Sequence, residues 1–454
     1  MELKDKKVLV IGAAKSGIAA AEFLLNKGAC VTLLDDKSEL QLRCVVDKLK
    51  SMDINLALGG KCPDLIKEGY SLVVMSPGVP LDILPVVQAK NEGIPIIGEL
   101  ELAYIFCQSA IIAITGTNGK TTTASLTGKM FSDAGINTLV AGNIGVPLIS
   151  EVENYDKSDV IILEVSSFQL ETVDSFKPKV SVILNISPDH LDRHSNMENY
   201  INVKANIFKN QGHSHYIILN YDNFYTAELA KRTKGNVIFF STKHILDRGV
   251  YVQNGEIVAK LDDSRVAVAS TKDFKLPGNH NLENALAAST CALVMGIEPK
   301  YIARSLAGFK AVPHRMEMIA KINGAFYIND SKATNPEAAI HALNSFDSKK
   351  IILIAGGLNK NSNFTELART IKEKVRFLIL IGKHADEIKE AVQKEDFSDF
   401  IILKDLKEAV NTAHKMVLKN EVVLLSPACA SWDMFNNYEE RGELFKQLVL
   451  ELRR

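Results

Sequence analysis

The sequence predicts an α/β protein of three domains, and three observations lead to this prediction. At 454 residues the chain is long enough for two to four domains. Short apolar runs, typical of buried parallel strands, alternate with helix-length segments along its length. Polar or glycine-containing segments follow three of these runs, at residues 12–17, 116–121 and 329–335, and sheets of this kind bind ligands at that edge. We expect domains at residues 1–98, 99–310 and 311–454.

The composition is that of an ordinary globular protein. Hydrophobic residues make up 46% and charged residues 24%, and 53 basic residues balance 54 acidic ones. This balance argues against a nucleic-acid scaffold and against a polybasic membrane surface. The six cysteines are scattered without a C-x-x-C pair, which argues against a zinc site and fits a reducing compartment. With no signal-peptide layout, no bilayer-length apolar run and no heptads, we expect a cytoplasmic monomer.

The first domain opens with a strand, Lys7 to Ile11, then a glycine-containing loop and a helix that runs to about residue 27. A second strand, Cys30 to Leu34, ends at Asp35, which is the layout of a Rossmann-like G-x-G-x-x-G fingerprint. However, Ala14 replaces the second glycine, the one that lets a pyrophosphate approach the backbone. The pattern therefore predicts the fold but not NAD binding, and a plain βαβ turn is an equal alternative.

The central domain opens with a strand, Ile111 to Ile114, a turn at residues 116–121, and a helix expected from Ala124 to Ala134. This is the layout of a phosphate-binding loop, in which backbone N–H groups and the helix N-terminus surround phosphate oxygens. Lys120 supplies a positive charge and the Thr121 hydroxyl a Mg²⁺ ligand. Ile114 stands where the longer pattern has its first glycine, so an ordinary βα turn is the alternative.

Two further strands of this domain end in polar residues. Glu164 lies near the carboxyl end of the apolar strand Val160 to Val165, where a carboxylate needs a partner. A metal ion on nucleotide phosphates is the expected partner, and a structural ion pair is the alternative. The strand Val180 to Ile186 precedes S-P-D-H-L-D-R-H, in which His190 is the candidate site residue and His194 is expected at the surface.

Three patterns follow on helices and a hairpin. Tyr200 and Lys204 share a helix face at i, i+4, and the lysine alone would be interpreted as solvated. Asn254-Gly255 predicts a hairpin turn. Asn281 and Asn284 stand at the start of a long Ala-rich helix, where helix capping is an alternative to ligand binding.

The third domain repeats the strand-and-helix alternation. The strand Ala325 to Ile328 precedes a polar segment, and Pro336 suits the first position of a helix. Further strands are expected at Ile351 to Ala355, Phe377 to Ile381 and Val422 to Leu425. The density of polar residues after the first of these strands indicates a ligand loop on a second Rossmann-like sheet.

Seven motifs in order resemble the Mur ligase family, the ATP-dependent amide-forming ligases of peptidoglycan precursor assembly. They are GTNGKTT, LEVSSFQL, ILNISPDHLDRH, GNHNLENALAA, VPHRME, NDSKATNP and LLSPACASWDMF, which lie between residues 116 and 435, and the resemblance covers the whole chain. Within the family, four stretches are most similar to the members that add D-glutamate to UDP-N-acetylmuramoyl-L-alanine, namely VMSPGVP, the DHLDRH loop, NDSKATNP and SPACASWDMF. The resemblance implies a first domain for the uridine nucleotide, a central P-loop ATPase-type domain, and a third domain for the amino acid. It also implies roles in cell wall biogenesis, cell shape and cell division.

The resemblance assigns expected roles to residues of this sequence. ATP would contact Gly116, Thr117, Asn118, Gly119, Lys120, Thr121, Thr122, Asn281, Asn284, Arg315 and Asp330. The uridine nucleotide substrate would contact Lys15, Ser16, Asp35, Asp36, Lys37, Ser76, Gly78, Asn143 and Ser166. D-Glutamate would contact Lys332, Thr334, Lys360, Ser431, Trp432 and Tyr438. Lys120, His190 and Lys204 would be catalytic, and two Mg²⁺ ions, or Mn²⁺, would be held by Thr121, Glu164, His190 and a carbamylated Lys204.

The implied reaction activates a carboxylate. ATP phosphorylates the alanyl carboxylate to an acyl phosphate, and the D-glutamate amine then displaces phosphate. Two other functions are carried as alternatives: a related Mur-type or folylpolyglutamate ligase with another amino acid, and a non-catalytic nucleotide-binding module. The second of these is disfavoured because Lys120, Glu164, His190 and Lys204 are all present.

Overall fold

A computed structural model describes residues 1–60, 65–143, 145–274, 276, 278–310, 313–346, 350–359 and 362–453. The contacts within the chain divide it into two compact units, Met1–Phe309 and Lys310–Arg454. No helix in the described ranges has the length and apolar character needed to cross a bilayer. Among the described cysteines, Cys30, Cys107, Cys291 and Cys429 are free thiols.

The first sheet has five parallel strands in the order β3-β2-β1-β4-β5, the order of a Rossmann-like domain. Its elements are β1 Lys7–Ile11, α1 Lys15–Asn26, β2 Cys30–Asp35, α2 Arg43–Lys50, β3 Asn55–Leu58, β4 Leu72–Met75, α3 Leu84–Asn91, β5 Ile96–Gly98 and α4 Glu99–Phe106. The strands are apolar because helices cover both faces, so β1 and β4 are almost wholly buried.

The second sheet has nine strands in the order β14-β13-β12-β11-β10-β9-β6-β8-β7. The elements up to α8 are β6 Ala110–Thr115, α5 Lys120–Asp133, β7 Thr138–Gly142, β8 Val160–Glu164, α6 Ser167–Leu170, β9 Val180–Ile183, α7 Leu191–His194 and α8 Met197–Ala205. The remainder are β10 Tyr216–Asn220, α9 Phe224–Leu229, β11 Asn236–Ser241, β12 Gly249–Gln253, β13 Glu256–Lys260, β14 Val266–Ser270, α10 Asn279–Val294 and α11 Pro299–Gly308.

β6 lies between β8 and β9 and is parallel to both, so the carboxyl ends of three neighbouring strands meet at one edge. This is the point at which the strand order changes direction, where open α/β sheets bind ligands. The helix after β6, α5, packs against α10. The residues that follow β6, β8 and β9 are therefore brought close to the start of α10.

The third sheet, in the unit Lys310–Arg454, has six strands in the order β15-β16-β20-β17-β18-β19. Its elements are β15 Glu317–Ile322, β16 Ala325–Asn329, α12 Pro336–Leu343, β17 Ile351–Gly356, α13 Thr365–Lys374, β18 Val375–Ile381, α14 Ala385–Lys394, β19 Phe400–Ile402, α15 Leu406–Met416, β20 Val422–Leu425 and α16 Tyr438–Glu451. β15 is antiparallel to β16, and the other neighbours are parallel.

The predicted α/β class with three sheets is confirmed. The hairpin is also confirmed, because Asn254 and Gly255 both have positive φ and join the antiparallel strands β12 and β13. Two bounds were wrong by three residues or more. The helix after the phosphate loop begins at Lys120, not Ala124, and β9 ends at Ile183, not Ile186. In both cases the residues between the predicted and the observed bound, 120–123 and 184–186, lie in or next to the loop at residues 116–121.

Candidate active site

The phosphate loop, residues 116–121, connects β6 to α5 and is shaped around Gly119. Gly119 has φ +85 and precedes the first residue of α5. A Cβ at this position would lie 2.1 Å from the Asn284 side-chain oxygen, so only glycine fits. The Thr123 hydroxyl donates to the same oxygen at 3.3 Å. The loop and the start of α10 therefore form one surface.

Asn185, at the end of β9, holds the loop in place. Its backbone oxygen accepts the Thr117 N–H at 2.9 Å and its side-chain oxygen accepts the Asn118 N–H at 2.8 Å. The Asn185 amide donates back to the Asn118 carbonyl at 3.1 Å. Asn185 is not among the site residues predicted from the sequence. A polar side chain near the carboxyl end of an apolar strand is the signal that identified Glu164, and the same signal would have identified Asn185.

Two lysines converge on the Gly116 carbonyl. Lys120 Nζ donates to it at 2.8 Å and to the Thr117 carbonyl at 2.9 Å, and Lys204 Nζ donates to it at 3.1 Å. Lys204 is 1% exposed and its Nζ lies 4.6 Å from the Tyr200 ring centre. The interpretation of this lysine as solvated is therefore wrong, since it faces the loop from α8.

Burial lowers the pKa of the Lys204 ammonium well below its usual range, and the charge of Lys120 lowers it further. Tyr200 completes the contact with the loop, since its hydroxyl lies 3.2 Å from the Thr117 hydroxyl. The predicted pairing of Tyr200 and Lys204 on one helix face is confirmed.

Glu164 ends β8 beside the first turn of α5. Its Oε2 accepts the Thr121 hydroxyl at 2.9 Å, and its Oε1 accepts the Asn143 side-chain amide at 2.8 Å. The carboxylate is 2% exposed. Two oxygen groups, a carboxylate and a hydroxyl, thus meet directly under the phosphate loop.

The two histidines after β9 have different environments. His190 has φ +51, and its half-exposed ring packs on Phe168 at 4.9 Å between ring centres. His194 is 4% exposed, and its Nε2 lies 3.0 Å from the Ser167 hydroxyl. The expectation that His194 is a surface residue is wrong, because α7 turns its ring towards α6. Burial lowers the pKa of His194, and Glu171 opposes that shift.

Asn281 and Asn284 do not cap α10. The residue before the helix is Gly278, which makes no side-chain capping bond. Both asparagines are buried inside the helix, and Asn284 lies in its second turn against the phosphate loop. The capping interpretation is therefore wrong for these two residues.

In the first sheet, several predicted contact residues build the loops themselves. Asp35 accepts the N–H groups of Ala13 at 2.7 Å and Lys37 at 2.8 Å. The Ser76 hydroxyl donates to the Gly12 carbonyl at 3.0 Å, which joins the loops after β1 and β4. The remaining residues predicted to contact the uridine nucleotide are partly or fully exposed at the loop edges, namely Lys15, Ser16, Asp36, Gly78, Asn143 and Ser166.

Ser166 and Lys15 have further contacts. The Ser166 side chain caps α6 by accepting the Gln169 N–H. Lys15 Nζ donates to the Gly145 carbonyl, which links the first loop to the segment after β7. Lys15 thus lies where the first sheet approaches the second.

In the unit Lys310–Arg454, Asp330 follows β16 and is buried. The Ser426 hydroxyl donates to its Oδ2 at 2.8 Å and the Met316 N–H to its Oδ1 at 3.2 Å. Burial raises its pKa to about 7, opposed by these hydrogen bonds and by the charge of Arg315. Asp330 and Ser426 meet because β16 and β20 are adjacent and parallel.

The residues predicted to hold D-glutamate lie on loops of the same sheet. Lys332 Nζ is 5.7 Å from the Tyr438 ring centre, and Ser331 donates to the Tyr438 carbonyl. Ser431 is buried and Trp432 is 61% exposed, both on the loop after β20. Thr334 is partly buried beside Lys332, whose carbonyl accepts its N–H at 2.9 Å. Lys360 lies outside the described residues.

The three sheets and the loop after β6 define an α/β protein of the phosphate-loop class. Comparison with known families agrees across the chain. Residues 6–98 match the Mur ligase MurD-like N-terminal domain, residues 114–292 the Mur ligase middle domain, and residues 314–429 the Mur ligase glutamate ligase domain.

Full-length relatives carry the name UDP-N-acetylmuramoylalanine–D-glutamate ligase. The protein from Pelotomaculum thermopropionicum is 52% identical and the one from Clostridioides difficile 46% identical, each over 100% of both chains. The chain therefore belongs to the Mur ligase family, and it is a ligase.

Solved structures share the fold at low identity. UDP-N-acetylmuramate-alanine ligase MurC from Thermotoga maritima superposes with a TM-score of 0.60 at 19% identity, over 98% of this chain and 100% of that one. MurF ligase from the same organism, solved in complex with ADP, gives a TM-score of 0.57 at 18% identity, over 100% of this chain and 97% of that one.

Proposed function

We propose that the chain is an ATP-dependent ligase that joins D-glutamate to UDP-N-acetylmuramoyl-L-alanine in peptidoglycan precursor synthesis. The observation that carries the proposal is the 52% identity, over the full length of both chains, to the Pelotomaculum relative of that name. The phosphate loop with Lys120, beside Glu164 and Lys204, supports it because activating a carboxylate with ATP needs these groups together.

ATP would bind with its phosphates on the loop. The N–H groups of the first turn of α5 have no partner within the helix and can donate to phosphate oxygens. Lys120 would exchange the Gly116 and Thr117 carbonyls for phosphate oxygens. Asn281 and Asn284 would face the adenine. The other proposed ATP contacts are Gly116, Thr117, Asn118, Gly119, Thr121 and Thr122 on the loop, and Arg315 and Asp330 from the third domain.

The oxygen donors around the loop suit Mg²⁺. The carboxylate of Glu164 and the hydroxyl of Thr121 are hard ligands, and Mg²⁺ in nucleotide sites takes one or two such groups with phosphates and water. We infer that Thr121 and Glu164 hold one ion, and His190 and a carbamylated Lys204 a second. Bound Mg²⁺, or Mn²⁺, would neutralise phosphate charge.

Carbamylation of Lys204 requires a neutral amine in a buried place. The amine nitrogen adds to CO₂ and loses a proton, so a cation becomes an anion. Its 1% exposure favours the neutral amine, and its position opposite Lys120 favours the carbamate, since the new anion would be attracted to the Lys120 cation.

The chemistry has two steps. An oxygen of the alanyl carboxylate attacks the γ-phosphorus of ATP and ADP leaves, with Lys120 offsetting charge on the transferred group. The neutral amine of D-glutamate then attacks the acyl carbon, and the tetrahedral intermediate loses a proton from nitrogen and phosphate from carbon to give the amide. Cations and hydroxyls would hold the two D-glutamate carboxylates, with Trp432 and Tyr438 beside them, and the proposed set is Lys332, Thr334, Lys360, Ser431, Trp432 and Tyr438.

The uridine nucleotide would occupy the loops of the first sheet and reach the phosphate loop past β7 and β8. The proposed contacts are Lys15, Ser16, Asp35, Asp36, Lys37, Ser76, Gly78, Asn143 and Ser166. We also propose three domains, at residues 1–98, 99–310 and 311–454, and a monomer that acts in the cytoplasm, where its nucleotide substrates are made.

Phosphate release tests the proposal. The purified chain is given ATP, Mg²⁺ and UDP-N-acetylmuramoyl-L-alanine with a panel of amino acids. We expect release with D-glutamate and background release with L-glutamate, L-lysine and diaminopimelate. Release with L-lysine or diaminopimelate but not with D-glutamate would show a ligase of different specificity, and release with none would favour a non-catalytic nucleotide-binding module.

A further inference from the structure

One arginine joins the first sheet to the loop that carries His190. Arg193 lies in α7, and its Nη2 donates to the Val79 carbonyl at 2.9 Å. The same guanidinium forms a two-pronged pair with Glu171, with Nη2 at 2.6 Å and Nε at 3.2 Å from its carboxylate oxygens. Its centre lies 5.4 Å from the Phe168 ring centre. The planar fork of arginine makes all of these contacts at once, and lysine could not.

The ion pair between Arg193 and Glu171 is largely shielded from solvent. The side chains of Arg193 and Glu171 are 19% and 9% exposed, so solvent and salt screen the pair less than a surface pair. His194 lies on the other side of Glu171, with Nδ1 3.5 Å from the carboxylate. The carboxylate thus fixes two consecutive side chains of α7.

Val79 belongs to the loop that follows β4, three residues beyond Ser76. Ser76 and Gly78 in this loop are proposed contacts of the uridine nucleotide substrate, and Ser76 is bonded to the loop after β1. Arg193 is three residues beyond His190, a proposed metal ligand. The bond from Arg193 to the Val79 carbonyl therefore connects the substrate side of the site to the phosphate side.

We propose that Arg193 is a positioning residue, which holds the loop after β4 against α7 so that the bound UDP substrate presents its carboxylate to the ATP phosphate. The inference rests on the proposed function. Arg193 acts through protein groups, the Val79 carbonyl and the Glu171 carboxylate. Without it, the two loops would have to be ordered by the substrate itself, which costs binding free energy, and small misplacements of reacting groups are costly.

The chain offers a matched control at the same boundary. Lys27 pairs with Glu153 across the first and second sheets, and its Nζ lies 5.3 Å from the Phe23 ring centre. It follows the last residue of α1, while Lys15 opens that helix about 18 Å away, at 1.5 Å per residue. Lys27→Met removes a cation that joins the same two parts of the chain, but far from the substrate loops.

The experiment compares Arg193→Met, Arg193→Lys and Lys27→Met. For Arg193→Met we expect the KM for UDP-N-acetylmuramoyl-L-alanine to rise about tenfold, the factor expected for a lost hydrogen bond from a charged donor. The KM for ATP should stay within twofold of the original value. Arg193→Lys should give an intermediate KM for the UDP substrate, and Lys27→Met should leave both KM values unchanged.

Two results would overturn the inference. One is a KM for the UDP substrate that differs less than twofold between Arg193→Met and Lys27→Met. The other is an equal rise of both KM values, which would indicate general damage to the fold. If Arg193→Met does not fold, Arg193→Lys alone decides by the same criteria. Calorimetry measures binding of the UDP substrate to the same loops without turnover. An unsubstituted protein that lacks turnover would therefore count against the proposed function and not against the proposed role of Arg193.

Discussion

Replacing Gly119 with alanine tests whether the phosphate loop is built around the Asn284 side chain. At φ +85, an alanine costs about 1–2 kcal/mol. Its Cβ would lie 2.1 Å from Asn284 Oδ1, so the asparagine has to move. It would then lose its bond from the Thr123 hydroxyl, worth about 1 kcal/mol. We expect a total destabilisation of about 2–3 kcal/mol.

Gly135 provides the matched control for backbone strain. It has φ +84, and a Cβ there would meet none of the described atoms within 4 Å. Gly135→Ala should therefore cost only the strain of about 1–2 kcal/mol, two residues beyond the end of the same helix, α5. The difference in destabilisation between the two variants therefore gives the cost of displacing the Asn284 side chain.

The assay measures the melting temperature and the KM for ATP of both variants. Gly119→Ala should melt lower than Gly135→Ala and raise the KM for ATP at least tenfold, while Gly135→Ala leaves that KM unchanged. In an Asn284→Ala background the extra cost of Gly119→Ala should disappear, because the clashing oxygen is gone. Equal effects of the two glycine variants on both quantities would refute the reasoning.

Three further predictions follow from buried charged groups. Lys204→Ala should nearly abolish turnover and be partly rescued by formate or acetate standing in for the carbamate; full activity without rescue would show that this lysine is not at the metal site. Burial raises the pKa of Asp330 from 3.8 to about 7, so the folded chain binds an extra proton and stability is lost as pH rises from about 4 to 7. In urea unfolding, Asp330→Asn should lose less stability over this pH range than the unsubstituted protein. Equal slopes of stability against pH in the two proteins would contradict the prediction. Glu101→Ala should destabilise the chain by about 3 kcal/mol or more in urea unfolding, because the Glu101 carboxylate accepts the N–H groups of residues 174–176 at 2.7–3.1 Å; a cost below 1 kcal/mol would mean that water replaces it.

Much of the fold follows from the sequence because it depends on local patterns. Apolar runs bounded by turns predicted β1 and β20 closely, and positive φ at Asn254-Gly255 follows from turn chemistry. Helix starts were predicted less well. α5 begins four residues earlier than expected because Lys120 and the three threonines after it enter the helix directly from Gly119, although threonine has a low helix propensity.

The surroundings of the site depend on contacts between distant segments, and these are not visible in a local pattern. His194 looked like a surface residue, but its burial comes from Ser167 and Glu171, more than 20 residues away. Lys204 looked solvated for the same reason, since its partner Gly116 is 88 residues distant. Polarity alone predicts exposure, and only tertiary packing reverses it.

The departure of the phosphate loop from the longer pattern has a structural reason. Ile114, which stands where that pattern has its first glycine, is fully buried in β6 and pairs with β8 and β9. The strand therefore continues into the position where a longer loop would begin to curve. Asn185, two residues beyond the end of the neighbouring strand β9, compensates by fixing the N–H groups of Thr117 and Asn118. In the proposed ATP complex, the phosphate oxygens would then be left to the N–H groups at the start of α5, close to Thr121 and Glu164. The shorter loop would place the transferred charge directly above the carboxylate and hydroxyl that we propose as Mg²⁺ ligands.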